Sequence, residues 1–185
     1  MIDLITILLV LTTAVAIISL LISLLIGTSA IALFAVKVPF APTPKRNVKI
    51  IIDQLNLKPG QIFYDLGCGD ARFLIEAESR GAKATGFEIA PWAIFRAHLR
   101  KWFKKSQVKI IAKNFYHINL SDADAVFCFL ITKVMPKVEQ KLQQELKPGA
   151  LIACYGFPLP TWNPEKIISL KPANPRASKI YLYKK

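Results

Sequence analysis

From Leu4 to Val36 the chain carries no charged residue, only aliphatic side chains with Thr, Ser, one Gly and one Phe. That run is far longer than the about 20 residues that cross a hydrocarbon core about 30 Å thick. A cleaved secretory signal is the rival reading, but it needs a basic start and an apolar stretch of only about 7–15 residues. Met1-Ile2-Asp3 offers no Lys or Arg, and the run is more than twice too long. Residues 1–36 are therefore expected to form one uncleaved transmembrane anchor. It either ends near Gly27-Thr28-Ser29 or continues with tilt.

The remainder has a different chemistry. All 25 basic residues lie at or after Lys37 together with 11 of the 12 acids, a formal excess of 14 positive charges. Lys37, Lys45, Arg46 and Lys49 flank the apolar run on this side only, so the positive-inside rule expects the following domain in the cytoplasm. A 53% hydrophobic composition excludes disorder, and 8 Gly with 12 Pro in no period exclude collagen-like repeats. Three cysteines do not make a disulfide framework, and reduced thiols suit the cytoplasmic side. Pro39, Pro42 and Pro44 make residues 37–46 a short, stiff, basic linker, with a domain expected over 47–185.

Within that domain strands and helices alternate. Apolar runs predict strands at 62–66, 84–88, 108–112, 125–130, 150–155, 166–170 and 179–183, and helical periodicity predicts helices at 47–57, 71–80, 91–104 and 134–146. Pro91 sits at a favoured first helical position, and Lys147-Pro148-Gly149 closes the last helix. Repeated βα units imply an α/β fold with a doubly wound, mostly parallel seven-stranded sheet, closed by an antiparallel hairpin whose turn holds Pro172 and Pro175.

The chemistry concentrates in Tyr64-Asp65-Leu66-Gly67-Cys68-Gly69-Asp70. A carboxylate ending the first strand, followed by Gly-x-Gly, brings backbone close to a ligand without Cβ interference. Glu88 follows Gly67 by 21 residues and ends the next strand, where a carboxylate accepts both hydroxyls of a ribose. Asn114 and Phe115, after the third strand, pair an amide that can bond a base with a ring that can stack on it. A pyrophosphate-bearing nicotinamide cofactor is disfavoured, because Asp65 sets a negative charge where such a group wants only backbone N–H donors. The same acid suits the ammonium and sulfonium of S-adenosylmethionine.

These residues resemble the class I S-adenosylmethionine-dependent methyltransferases. The more specific resemblance is to the membrane-anchored protein-lysine methyltransferases of the ATP synthase c-subunit and adenine nucleotide translocase. It rests on the apolar anchor, Val38-Pro39-Phe40-Ala41-Pro42-Thr43-Pro44, the glycine motif, Gly86-Phe87-Glu88-Ile89-Ala90-Pro91-Trp92, Gly156-Phe157-Pro158 and Trp162-Asn163-Pro164. Ala71 replaces a usual glycine, and Asn114 stands where an acid is common. The resemblance implies that Asp65, Gly67 and Gly69 hold the methionine moiety with Asp70 nearby. It implies Glu88 on the ribose, Ile89 against the adenine, Asn114 and Phe115 at its edge, and Thr43 at the carboxylate if the Pro-rich segment folds over. The acceptor is then expected above the fourth strand, near Phe129 to Thr132, walled by Phe157, Pro158 and Trp162.

Methyl transfer to an amine is an in-line displacement served by positioning and desolvation. The amine must be neutral, and a dry aromatic pocket lowers its pKa. No dedicated base stands out: Asp122 and Asp124 begin the fourth strand, at the wrong end of a parallel sheet, and neither His98 nor His117 has a catalytic partner. No Cys/His spacing suggests a metal site. The basic cluster Arg96, Arg100, Lys101, Lys104 and Lys105 is read as facing anionic lipid rather than nucleic acid, since an anchor lies nearby. The expected activity is methylation of a lysine on a membrane protein. A lipid or small apolar acceptor, and a non-catalytic membrane-tethered scaffold, are the alternatives.

Overall fold

The computed structural model describes residues 3–36, 43–174 and 177–185. Most of the Pro-rich linker (37–42) and Pro175 of the closing turn lie outside them. Helix α1 spans Leu4–Val36, and over Leu4–Thr28 it is long and apolar enough to cross a membrane, with none of its most apolar window buried by the rest of the chain.

Helix α2 (Lys45–Gln54) buries Val48, Ile51, Ile52 and the following Leu55, an i, i+3, i+4, i+7 stripe that seals one face of the sheet. It starts two residues before the expected helix, directly after Pro44. Strand β1 (Ile62–Leu66) lies where expected, and β2 (Lys83–Phe87), β3 (Lys109–Ile111), β4 (Ala125–Cys128) and β5 (Leu151–Tyr155) fall within two residues of their expected bounds. Helices α3 (Arg72–Glu78), α4 (Pro91–Phe103) and α5 (Met135–Glu145) connect them. Two short 3₁₀ turns, Phe115–His117 and Thr132–Val134, follow β3 and β4.

The seven strands form one sheet in the order β3-β2-β1-β4-β5-β7-β6, with β6 (Lys166–Ser169) and β7 (Lys179–Lys184) as the closing hairpin. Strands β1 to β5 pair in parallel, and β7 inserts antiparallel between β5 and β6. Burial explains the insertion: Ile180 and Tyr183 are buried in β7, whereas Ile167 on β6 is exposed and suits an edge. The order reverses between β1 and β4, and ligands of open parallel sheets bind at the carboxyl ends of strands beside such a reversal.

Two cores flank the sheet. One packs α2 and α3 against Phe63, Phe127 and Tyr155, with Phe73 stacked on Phe127 at 3.9 Å; the other packs α5 against Leu66, Val126, Cys154 and Tyr183. All three cysteines are free and buried.

Gly86 sets how closely the first two crossovers approach. A Cβ there would lie 2.5 Å from the Cβ of Cys68 and 2.6 Å from Leu74 Cδ1, so the glycine turn seats directly on β2. Gly86→Ala is expected to destabilise the protein by about 2–3 kcal/mol through overpacking, read as a lower denaturant midpoint at unchanged slope.

Candidate functional site

The turn from β1 into α3 is tied to β2 by backbone. Gly67 and Cys68 N–H both donate to the Phe87 carbonyl, at 2.9 and 3.0 Å, and Gly67 and Gly69 adopt left-handed φ of 87° and 54°. Ala71 takes the same region at φ 63°, so the alanine that replaces the usual glycine keeps the backbone that glycine would allow. Three carboxylates meet at this turn, all buried: Asp65, Asp70 and Glu88.

Among the described residues no cation pairs with Asp65. Its Oδ2 is buried without a hydrogen-bond partner, and burial first, then the charges of Glu88 and Asp70, push its carboxyl well above the usual range. A buried, unpaired carboxylate oxygen at the end of a strand is a site built for a cationic group. The ammonium of S-adenosylmethionine fits it.

Glu88 is held by main chain. Its Oε2 accepts from Gly69 N–H at 3.0 Å, and its Oε1 accepts from Ile89 and Ala90 N–H at 2.8 and 3.0 Å. The sequence suggested a strand-end carboxylate free to face a cleft. The structure corrects this: Glu88 staples the glycine turn to the start of α4, with about one of its four lone-pair positions left for a ligand hydroxyl.

Asp70 is the hub of a charge network. Its carboxylate accepts from Arg72 Nε and Nη2 at 2.8 and 2.6 Å, from Arg100 Nη2 at 2.7 Å and from Arg96 Nη2 at 3.4 Å. Burial alone would raise its pKa, but the hydrogen bonds and charges of Arg72 and Arg100 outweigh it and hold the carboxyl below its ordinary range. Arg72 also donates to the Thr43 carbonyl, so the buried Thr43 is brought against the glycine turn. Arg96 and Arg100 thus serve Asp70, and the basic cluster read from the sequence is divided, with two guanidiniums pointing inward.

The remaining site residues are spread around this centre. Ile89 is half-buried beside Glu88. Asn114 Oδ1 caps the 3₁₀ turn by accepting from Tyr116 N–H at 3.0 Å, while Phe115 packs into the core beneath, 4.4 Å from the Tyr116 ring. Its ring is a floor for the turn rather than an open stacking face. Past β4, Phe129 is half-buried against Tyr155 at 4.9 Å, and Thr132, Phe157 and Pro158 are exposed at the same edge. Trp162 is not part of that wall. Its ring lies 6.0 Å from Tyr183 with Lys185 Nζ over it at 5.9 Å, because Glu139 on α5 draws in Thr161 through its N–H and hydroxyl. Tyr183 pairs with Ile152 near the start of β5, which sets Trp162 away from the strand ends.

Three contributors escaped the sequence reading: Arg72, Asn47 and Tyr155. Asn47 Nδ2 donates to the Tyr155 hydroxyl at 3.2 Å and so links α2 to the end of β5. Only the position of Tyr155 at a strand's carboxyl end signalled it. Asp122 and Asp124 sit where expected, at the opposite edge. Asp122 accepts from the Tyr64 hydroxyl at 2.9 Å, and Asp124 accepts from Ile62 N–H at 2.7 Å and pairs with Lys147 at 2.6 Å. Among the described residues no group of three metal-ligating side chains occurs.

The doubly wound sheet, the glycine turn and the buried acid define a class I methyltransferase that uses S-adenosylmethionine. The family model described as the ANTKMT methyltransferase domain matches residues 65–166. A protein-lysine N-methyltransferase of Saccharolobus islandicus is 34% identical over 150 residues, covering 79% of this chain and 92% of that protein. The ATP synthase c-subunit lysine N-methyltransferase of Xenopus laevis is 30% identical over 156 residues, covering 77% and 69%. An RNA methyltransferase of Salinibacter ruber, solved with S-adenosyl-L-homocysteine, superposes with a TM-score of 0.72 at 25% identity, covering 78% of this chain and 93% of that one. The chain belongs to the ANTKMT-type methyltransferase family, as the motifs had implied.

Asp65 and Asp70 set opposite pH dependences. Asp65, with its pKa raised, costs the ligand-free fold stability as pH climbs from the unfolded value of about 3.9 through its higher folded value. Asp65→Asn is therefore expected to raise the thermal midpoint of the ligand-free protein at neutral pH by a few degrees. Asp70, with its pKa lowered, contributes stability that is present above about pH 4 and is lost as pH falls through its folded value. Asp70→Asn is expected to cost about 1–3 kcal/mol at pH 7, discounted for the partial exposure of the arginines, and nothing at acidic pH where the carboxyl is already protonated. Melting curves of both variants across pH check the two signs.

Proposed function

We propose that this protein is a membrane-anchored enzyme that transfers a methyl group from S-adenosylmethionine to a lysine of a membrane protein, with its domain on the cytoplasmic side. The single observation that carries the cofactor pose is the partnerless buried oxygen of Asp65. In this reading Asp65 takes the cofactor ammonium, Gly67 and Gly69 admit its methionine chain, and Thr43 closes over the carboxylate. Glu88 accepts from the ribose, Ile89 lies against the adenine, and Asn114 bonds the base edge above Phe115.

The bound cofactor supplies an electrophilic methyl on a sulfonium. The chain's own part is orientation and drying. Phe129, Tyr155 and Phe157 line the rim beside β4 and β5 and offer an apolar seat in which a lysine ammonium sheds its proton more readily. No side chain is assigned as general base, so the proton shed from the ammonium passes to solvent before the amine attacks the methyl. The lysine acceptor is supported by the named activities of the Saccharolobus and Xenopus relatives. The membrane location is supported by α1, whose most apolar window no other part of the described fold covers.

Incubating membranes with methyl-labelled cofactor and the full-length enzyme tests this directly. Label recovered as methyl-lysine after hydrolysis is the expected result. Label in the lipid extract would replace the acceptor, and no incorporation despite cofactor binding would favour a scaffold. Glu88→Ala is expected to weaken cofactor binding by about 10- to 150-fold, from one lost charge-assisted bond and a loosened turn, and to cost about 1–3 kcal/mol of stability. Asp122→Ala, at the far edge of the sheet, should leave affinity within a few-fold. Equal small effects from the two would remove the assigned role of Glu88.

A further inference from the structure

Helix α4 presents an apolar face to solvent. Trp92, Phe95, Leu99, Trp102 and Phe103 are all exposed, Trp102 by 72% and Phe103 by 68%. At about 100° per residue they fall within a stripe about 100° wide. Elsewhere after α1, the large apolar side chains exposed among the described residues are Phe157 and Ile167 alone. The opposite face carries Ala93 and Ala97, buried and small, so the helix lies close on the sheet and turns its bulky residues outward. The packing needs the alanines; it does not need an exposed Trp102 beside an exposed Phe103.

Charge and position indicate what covers the stripe. Lys101, Lys104 and Lys105 gather at its C-terminal end, where an open groove of about 630 Å³ is lined by His98, Lys101, Trp102, Phe103 and Lys105. Aromatic rings beside ammonium groups match the boundary between acyl chains and anionic headgroups. Helix α1 meets the fold at α4, so the segment read as the anchor lies next to this helix.

We propose that α4 is a second membrane contact, an interfacial helix that seats its aromatic stripe in an anionic bilayer surface. The inference rests on the membrane-anchored reading above and deepens it. The stripe begins at Trp92, four residues past Glu88, and its flank bears Arg96 and Arg100, which hold Asp70 in the glycine turn. Docking of α4 therefore brings the glycine turn that Arg96 and Arg100 hold toward the lipid surface. The sorting of the basic residues follows: the two arginines turn inward to Asp70, and the exposed Lys104 and Lys105 at the end of the stripe face the lipid phosphates.

The test uses the full-length protein in vesicles of phosphatidylcholine with about one third phosphatidylglycerol, an anionic surface that attracts each nearby lysine by about fivefold. The chain has 3 Trp, so W92F/W162F leaves Trp102 as the sole indole and W92F/W102F leaves Trp162. We expect Trp102 emission to shift to the blue, to be quenched by lipids brominated near the headgroup, to a depth of about 5–10 Å, and to be shielded from iodide. Trp162 should respond to none of these. The variant K101E/K104E/K105E should return Trp102 to water while the protein still floats with the vesicles. If a single-Trp variant misfolds, the difference between the native protein and W102F gives the same reading. Flotation with Trp102 in water on anionic vesicles overturns the role of α4 and leaves the anchor standing. Failure to float overturns both.

Discussion

A single carboxylate, that of Asp70, joins parts of the molecule that sequence order keeps apart. It binds Arg72 at the start of α3 and Arg96 and Arg100 along α4, and Arg72 reaches on to the Thr43 carbonyl ahead of α2. Three guanidiniums on one acid would repel one another in the open. Around a buried anion that repulsion is partly offset at short range, with Arg72 and Arg100 at 2.6 and 2.7 Å from the carboxylate and Arg96 at 3.4 Å. The glycine turn, the segment before α2 and the outward-facing helix all take their positions from that anion.

The neighbouring acids are treated differently, and the difference divides their work. Glu88 directs its charge to three backbone N–H groups and fixes the shape of the turn. Asp65 is left with an unsatisfied oxygen in a low-dielectric site, an arrangement the ligand-free fold tolerates at a cost. Shape is thus set by the paired acids, while the unpaired one keeps an oxygen without a partner, which the proposed function assigns to the cofactor's cation. The parallel sheet makes this possible, because its reversal between β1 and β4 opens the strand ends at the point where the three acids arrive.

Much of this was legible in the sequence. Apolar strands and their spacing indicated seven strands, and β1 at 62–66 was read to the residue because Gly67 and Lys58-Pro59-Gly60 bracket it. Strand β4 was read two residues too long: Phe129 and Leu130 are apolar and continue the pattern, but the chain leaves the sheet at Cys128 to form the rim. The acids at strand ends were found because their type and spacing are local signals. Their partners were not. Arg96 and Arg100 looked like part of a basic cluster facing anionic lipid, since nothing in a helix's own residues reveals that Asp70 lies within reach. Trp162 was placed at the acceptor wall by its motif, and the contact between Glu139 and Thr161 that carries it elsewhere spans 22 residues.

What the sequence determined by itself is what depends on neighbours along the chain: the uncharged helix, the alternation of strands and helices, the glycine turn and the identity of the acids beside it. Periodicity and residue chemistry are properties of a linear segment, and they survive without a fold. What only the tertiary structure decided is the use to which each charge is put. Whether a carboxylate is paired by arginines, by main-chain N–H groups or by nothing depends on which distant atoms arrive within about 3 Å of it, and packing alone sets that distance.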